Sequence, residues 1–159
     1  KWDGIGVQAH FSHACDPMAF YKQLDILSEY ADELKITEFD FQTYDQNLHA
    51  NFVRDFLITI FSHEKIQGFF CWGFKDGDIA KYLLFDKSWN RKKAADQFED
   101  LVYNKWWTRE SGKTDANGEY TLRGFYGDYD ITVTVNGQTK TVNVPLYKAN
   151  EGTVEVIVK

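Results

Sequence analysis

Leu34-Lys35-Ile36-Thr37-Glu38-Phe39-Asp40-Phe41 is the stretch on which the reading of this chain turns. Strand-forming residues surround two carboxylates at i and i+2. In an extended chain, residues two apart point to one face. Glu38 and Asp40 therefore share one side, while Phe39 and Phe41 pack on the other, beneath covering helices. Two acids on one face of an apolar strand are costly to bury without compensation. Polar groups gathered at the C-terminal end of a parallel strand usually serve function.

Outward from this strand the pattern alternates. Upstream, Ile5 to Phe11 is a short apolar run bounded by Gly, as in a buried parallel strand. Asp16-Pro17 supplies a cap and a proline for the first helical position, and Phe20, Leu24, Leu27 and Ala31 follow at helical spacing. Downstream, Leu48, Phe52, Val53, Phe56, Leu57 and Ile60 predict a second helix, Ile66 to Phe74 a third strand, and Ala95, Phe98, Leu101, Val102 and Trp106 a third helix with Asn90 as its cap. A β-α-β-α-β-α order implies an α/β fold with parallel strands and crossover helices. Three such strands cannot cover both of their edges, and a complete eight-stranded barrel takes about 250 residues. Either another chain completes the sheet or this sequence is a piece of a longer one.

Beyond Thr108 to Ser111 the helical spacing stops. Tyr120 and Leu122, then Tyr129, Ile131, Val133 and Val135, then Val142, Val144 and Leu146, then Val154, Val156 and Val158 alternate with period two. Turn residues separate them at 115–118, 127–128, 136–137 and 150–152. Four short alternating runs predict a small antiparallel β-sandwich, so the expected domains are residues 1–107 and 108–159.

Composition narrows the function classes. Aromatic residues make up 17% of the chain and the net charge is −6. Without a basic stripe, nucleic acid is not an expected partner. No membrane-spanning run or signal peptide is present, so a membrane is not expected either. Abundant Trp and Tyr suit either a packed core or stacking against sugar rings. Cys15 and Cys71 are too few for a disulfide framework, and their pairing stays open. No Asn-x-Ser/Thr acceptor site occurs.

The first strand supplies partners for the two acids. Gln8 and His10 also lie two apart, so alternation places them on one face. A His between two carboxylates holds one in orientation and tunes its ionisation, and Gln8 offers donors and an acceptor to a substrate group. Trp72, at the end of the third strand, could close a pocket and stack on a sugar ring, or pack in the core. His10, His13 and Cys15 do not make a metal site, since His10 and His13 differ in strand parity and a fourth ligand is lacking. Asp115-x-Asn117-Gly118 lacks the distal Glu of a calcium loop and reads as a β-turn. No metal or cofactor is expected.

Asp3-Gly4-Ile5-Gly6-Val7-Gln8-Ala9-His10-Phe11, Ile36-Thr37-Glu38-Phe39-Asp40 and Gly68-Phe69-Phe70-Cys71-Trp72-Gly73 together resemble the sixth, seventh and eighth strands of glycoside hydrolase family 10. Leu84-Phe85-Asp86 and the helix after it match as well, so the likeness covers about 1–106. The tail resembles the β extension that follows the barrel in eukaryotic members. The resemblance implies the C-terminal part of a (β/α)8, or TIM, barrel of a secreted, extracellular endo-1,4-β-xylanase, some members also cutting cellulose. It implies Glu38 as the nucleophile, His10 hydrogen-bonded to it, Asp40 in support, Gln8 in the subsite of the reacting sugar and Trp72 as a wall of that subsite. The family's acid/base Glu lies in an Asn-Glu pair on the fourth strand, and no such pair occurs here. The implied partners are thus an N-terminal barrel part carrying strands one to five, separated by processing or by a chain break, and a β-1,4-linked polysaccharide. A second departure is the loop Lys75 to Lys81, which lacks the additional Trp of many members. Two alternatives from another class stand beside this reading. One is a non-catalytic carbohydrate-binding or scaffold module. The other is polysaccharide binding by the β-domain through Tyr120, Tyr126, Tyr129 or Tyr147, although alternation turns Tyr120 and Tyr129 toward its core.

Overall fold

A computed structural model describes residues 1–77, 81–148 and 152–157. Asp78, Ile79 and Ala80 of the Trp-free loop, Asn150 and Glu151 of the last turn, and Val158 lie outside the described residues. The chain divides into two compact units, Lys1–Lys105 and Trp106–Lys159.

In the first unit the strands are β1 (Trp2–Val7), β2 (His10–Phe11), β3 (Ala31–Phe41) and β4 (Ile66–Cys71). Helix α1 (Pro17–Ser28) joins β2 to β3, and α2 (Gln46–Phe61) joins β3 to β4. The central strand β3 pairs in parallel with β1 and β2 on one side and with β4 on the other. Strand order therefore advances in one direction without reversal. Right-handed crossovers then place both helices on the same face of the sheet, which is the winding of a closed barrel rather than of a doubly wound sheet.

Both helices begin where side chains offer acceptors to orphan amides. Asp16 Oδ1 accepts from Met18 N–H at 2.7 Å and Ala19 N–H at 3.2 Å, with Pro17 at the first position. Asp45 Oδ1 accepts from Asn47 N–H at 2.8 Å and Leu48 N–H at 3.0 Å. The helical face of the sheet carries an aromatic core. Phe39 stacks on Phe56 with ring centroids 4.5 Å apart, Phe41 meets Phe52 at 4.2 Å, and Phe11, Phe20 and Phe69 close around Phe56.

Strict alternation does not run the length of β3. Leu34 and Ile36 are fully buried, as are Phe39 and Phe41, yet Ile36 and Phe39 are three apart. The register supplies the reason: Val7 pairs with Ile36 but His10 with Asp40, and the pairing with β4 also shifts between Ile36 and Phe39. One extra residue at Thr37-Glu38 forms a bulge that flips parity. Core residues before and after it both face the helices, and the acids after it face the open side.

The third helix differs from expectation. Helix α3 spans Lys93–Glu99 and continues as a π-helix over Asp100–Lys105. Lys92 precedes it without a side-chain cap. Asn90 is engaged elsewhere: its N–H and its side-chain amide donate to Asp86 Oδ1 and Oδ2, each at 2.8 Å, closing a tight turn before the helix.

In the second unit β5 (Gly127–Val135) and β6 (Gln138–Leu146) form one antiparallel hairpin. Asn136-Gly137 turns it, with φ of 51° and 79°, the left-handed pair that matches strand twist. One face carries polar cross-strand pairs: Thr132 and Thr141, then Thr134 and Thr139, pair hydroxyl to hydroxyl at 2.9 Å, and Asn143 donates to Asp130 at 3.1 Å. The expected four-stranded sandwich is not what these residues form. Among the described residues, the runs at 120–122 and 154–157 have no ladder partner. Each is held by side chains instead: Tyr120 lies against Gly112, and Lys140 Nζ donates to the Ile157 carbonyl at 2.8 Å.

The unit's start is tied to the hairpin by Tyr129, whose hydroxyl reaches Thr108 Oγ1 at 2.9 Å and the Phe125 carbonyl at 2.5 Å. A Cβ on Gly124 would meet Tyr129 Oη at 2.3 Å. Gly124→Ala is therefore expected to displace the phenol and destabilise this unit by about 1–3 kcal/mol. Limited proteolysis of the tail should accelerate while the first unit stays protected; an unchanged cleavage rate would contradict the tie.

Candidate active site

The carboxyl ends of β2, β3 and β4 bring four of the expected residues together. His10 is the centre. Its Nε2 lies 3.3 Å from Glu38 Oε2, and its Nδ1 lies 3.1 Å from Asp40 Oδ1. The second contact is an ion pair whose direction misses hydrogen-bond alignment, which leaves Asp40 Oδ1 buried with no hydrogen-bond partner. Trp72 meets the same imidazole edge to face, with ring centroids 5.5 Å apart and planes at 85°.

His10 is presented by a break in its strand. Ala9 sits at φ 64°, in the left-handed region that non-glycine residues rarely adopt, and separates β1 from β2. The Gln8 carbonyl there accepts from Glu38 N–H at 3.0 Å, and the Ala9 carbonyl from Asp40 N–H at 3.4 Å. This break interrupts the simple alternation from which Gln8 and His10 were expected to share a face. Among the described residues Gln8 joins the cluster through its backbone, and its exposed side chain makes no hydrogen bond or ion pair with the other three.

Burial sorts the two acids. The Asp40 side chain is 3% exposed and Glu38 28%, so Glu38 is the more accessible of the two carboxylates. Burial opposes protonation of His10, but the Asp40 and then the Glu38 carboxylate outweigh it and raise the imidazole above its ordinary value. Because the folded value is raised, the stability His10 contributes is complete below its unfolded value near 6.5 and is lost as pH rises through the folded value. An NMR titration should place the His10 midpoint above 6.5, and Asp40→Asn should bring it down. A midpoint unmoved by that substitution would remove Asp40 from the electrostatics.

Two of the residues set aside as metal ligands make hydrogen bonds within the chain. His13 Nδ1 bonds Ser12 Oγ at 3.0 Å, and Asp115 Oδ1 accepts from the amides of Asn117 at 2.9 Å and Glu119 at 2.8 Å. Cys15 and Cys71 are both free thiols; burial pushes Cys71 up to about 11. Burial raises the Tyr82 phenol, and the Asp40 carboxylate and Tyr44 raise it further.

A singly wound parallel sheet of this kind, covered by helices on one face, is part of a (β/α)-barrel. The chain belongs to glycosyl hydrolase family 10, whose family model matches residues 1–115. It is 37% identical over 146 residues to the anti-sigma-I factor RsgI6 of Acetivibrio thermocellus, covering 87% of this chain and 18% of that protein. It is 24% identical over 141 residues to endo-1,4-beta-xylanase 1 of Arabidopsis thaliana, covering 87% of this chain and 15% of that one. The fold also matches crystalline xylanase 10B from Thermotoga maritima with a TM-score of 0.59 at 22% identity, over 65% of this chain and 37% of that chain. The chain thus spans less than a fifth of the length of the two sequence relatives.

Proposed function

We propose that this chain supplies the nucleophile part of a retaining endo-β-1,4-xylanase, with β-1,4-glucan as a second substrate. The observation that carries this reading is the His10 imidazole set between the open Glu38 and the buried Asp40. Glu38 attacks the anomeric carbon of a β-1,4-linked polysaccharide and forms a glycosyl-enzyme. A second carboxyl, about 5–5.5 Å away in retaining enzymes, protonates the departing oxygen and then takes a proton from the attacking water. His10 and Asp40 hold Glu38, Trp72 walls the reacting sugar's subsite, and Gln8 lines it.

The acid/base comes from barrel strands this chain does not carry. On this reading β1–β2, β3 and β4 are strands six to eight, and the rest of the barrel supplies strands one to five. Two features support it. Among the described residues neither β1 nor β4 is paired on its outer edge. Phe70, on β4, remains 57% exposed, apolar surface of the kind the rest of a barrel covers. The assembled enzyme acts outside the cell on plant polymer.

Mixing the chain with a polypeptide that carries strands one to five tests this. Xylan hydrolysis with retained anomeric configuration is the expected outcome. A folded complex that binds xylan without cutting it would favour the second reading, a non-catalytic carbohydrate-recognition module. The higher identity to a protein named an anti-sigma factor than to the named xylanase favours that second reading.

A further inference from the structure

The turn before α3 holds a tryptophan in a strained conformation that burial does not offset. Strand β4 ends at Cys71, but the chain keeps pairing beyond it: Lys75 bridges Phe85 in the parallel sense, and Phe85 bridges Arg91 in the antiparallel sense. The Phe85 N–H donates to the Phe74 carbonyl and the Asp76 N–H to the Phe85 carbonyl, each at 2.8 Å. This small ladder ties the turn to the carboxyl end of the sheet. Lys75 follows Trp72 by three residues, a backbone span of at most about 11 Å. After Phe85 the chain turns sharply around Asp86. Its Oδ1 accepts from Ser88 N–H and Asn90 N–H, each at 2.8 Å, and its carbonyl from Trp89 N–H at 3.0 Å. Trp89 takes the left-handed position of that turn, at φ 66°.

A bulky side chain is strained at such a position, where Gly or Asn fits readily. A core Trp would offset the strain by leaving water, yet Trp89 is 61% exposed. Its ring is nonetheless fixed. It meets Phe85 with centroids 5.8 Å apart and planes at 55°, and Lys75 Nζ stands 5.1 Å from its centroid. Strain that surrounding bonds hold in place gathers at ligand clamps. A flat apolar ring kept still in the open, with an ammonium beside it, suits a sugar. The C–H face of a pyranose stacks on an aromatic ring, and its hydroxyls accept from a cation. Resting on the glycosidase reading, we propose that Trp89 and Lys75 form an outer sugar subsite beyond Trp72. The indole stacks on a xylose ring of the bound chain, and the Lys75 ammonium donates to a hydroxyl of that ring.

The test uses the assembled barrel with indole-labelled tryptophan, titrated with xylohexaose. The Trp89 resonance is assigned through Trp89→Phe. On addition of sugar the Trp89 and Trp72 signals should both shift. Trp89→Asn should weaken xylohexaose binding about two- to tenfold. It should not lower the urea midpoint, because Asn accepts the left-handed conformation. A lowered midpoint overturns the subsite and makes the ring a prop for its own turn, and so does unchanged binding. A shift of Trp72 alone overturns the Trp89 contact and leaves the glycosidase reading standing. A shift of neither overturns both.

Discussion

With the barrel completed, Glu38→Gln is expected to reduce xylan hydrolysis by about 10⁴- to 10⁶-fold, the range seen when an attacking group is removed. The substitution keeps the side chain's shape and its contact with His10, at 3.3 Å in the parent, while removing the negative charge that attacks carbon. Substrate affinity should change little, so the loss falls on kcat and not on KM. The second reading, a recognition module, requires binding to survive and offers no hydrolysis to lose. Measured on the assembled protein, a residual rate within tenfold of the parent would remove Glu38 from the chemistry.

The second large effect is on stability. Phe56 is 3% exposed and meets Phe39, Phe11, Phe20, Phe52 and Phe69, which join β2, β3, β4, α1 and α2. Phe56→Ala removes that hub and leaves a cavity, at a cost of about 3–5 kcal/mol. Single domains are held by about 5–15 kcal/mol, so most of the margin goes. The site should suffer too, because Phe39 lies between the two acids in sequence and its packing on Phe56 sets their side of the sheet. A urea denaturation curve should show a large fall in midpoint with an unchanged slope. A loss below about 1 kcal/mol would mean the core collapses around the gap and is not packed as described.

The sequence carried the arrangement of the first unit because its signals are local and redundant. Asp16-Pro17 and the spacing of Phe52, Val53, Phe56, Leu57 and Ile60 each depend on a few neighbours, and each became the expected element. The meeting of His10, Glu38 and Asp40 was legible from period-two spacing on adjacent strands, though for a partly mistaken reason. Alternation alone does not foresee the bulge at Thr37-Glu38 or the left-handed Ala9, and His10 meets the acids through both. The second unit was read less well. Alternating residues at 120–122 and 154–157 satisfy the pattern of a strand, but a strand also needs a neighbour's backbone, which composition does not encode. Asn90 illustrates the same limit: its residue type suits a helix cap, but Asp86, four residues back, takes it into a turn.

An activated fluoro-xyloside separates the nucleophile from the missing acid. Its leaving group departs without protonation, so only the attacking carboxylate is needed for the covalent bond to form. The assembled barrel should be treated with this reagent, digested and mapped by mass spectrometry. A single glycosyl adduct on the peptide carrying Glu38, absent in Glu38→Gln, is the result this account predicts. A barrel that binds xylo-oligosaccharide yet acquires its label on another carboxylate, or acquires none, would contradict it.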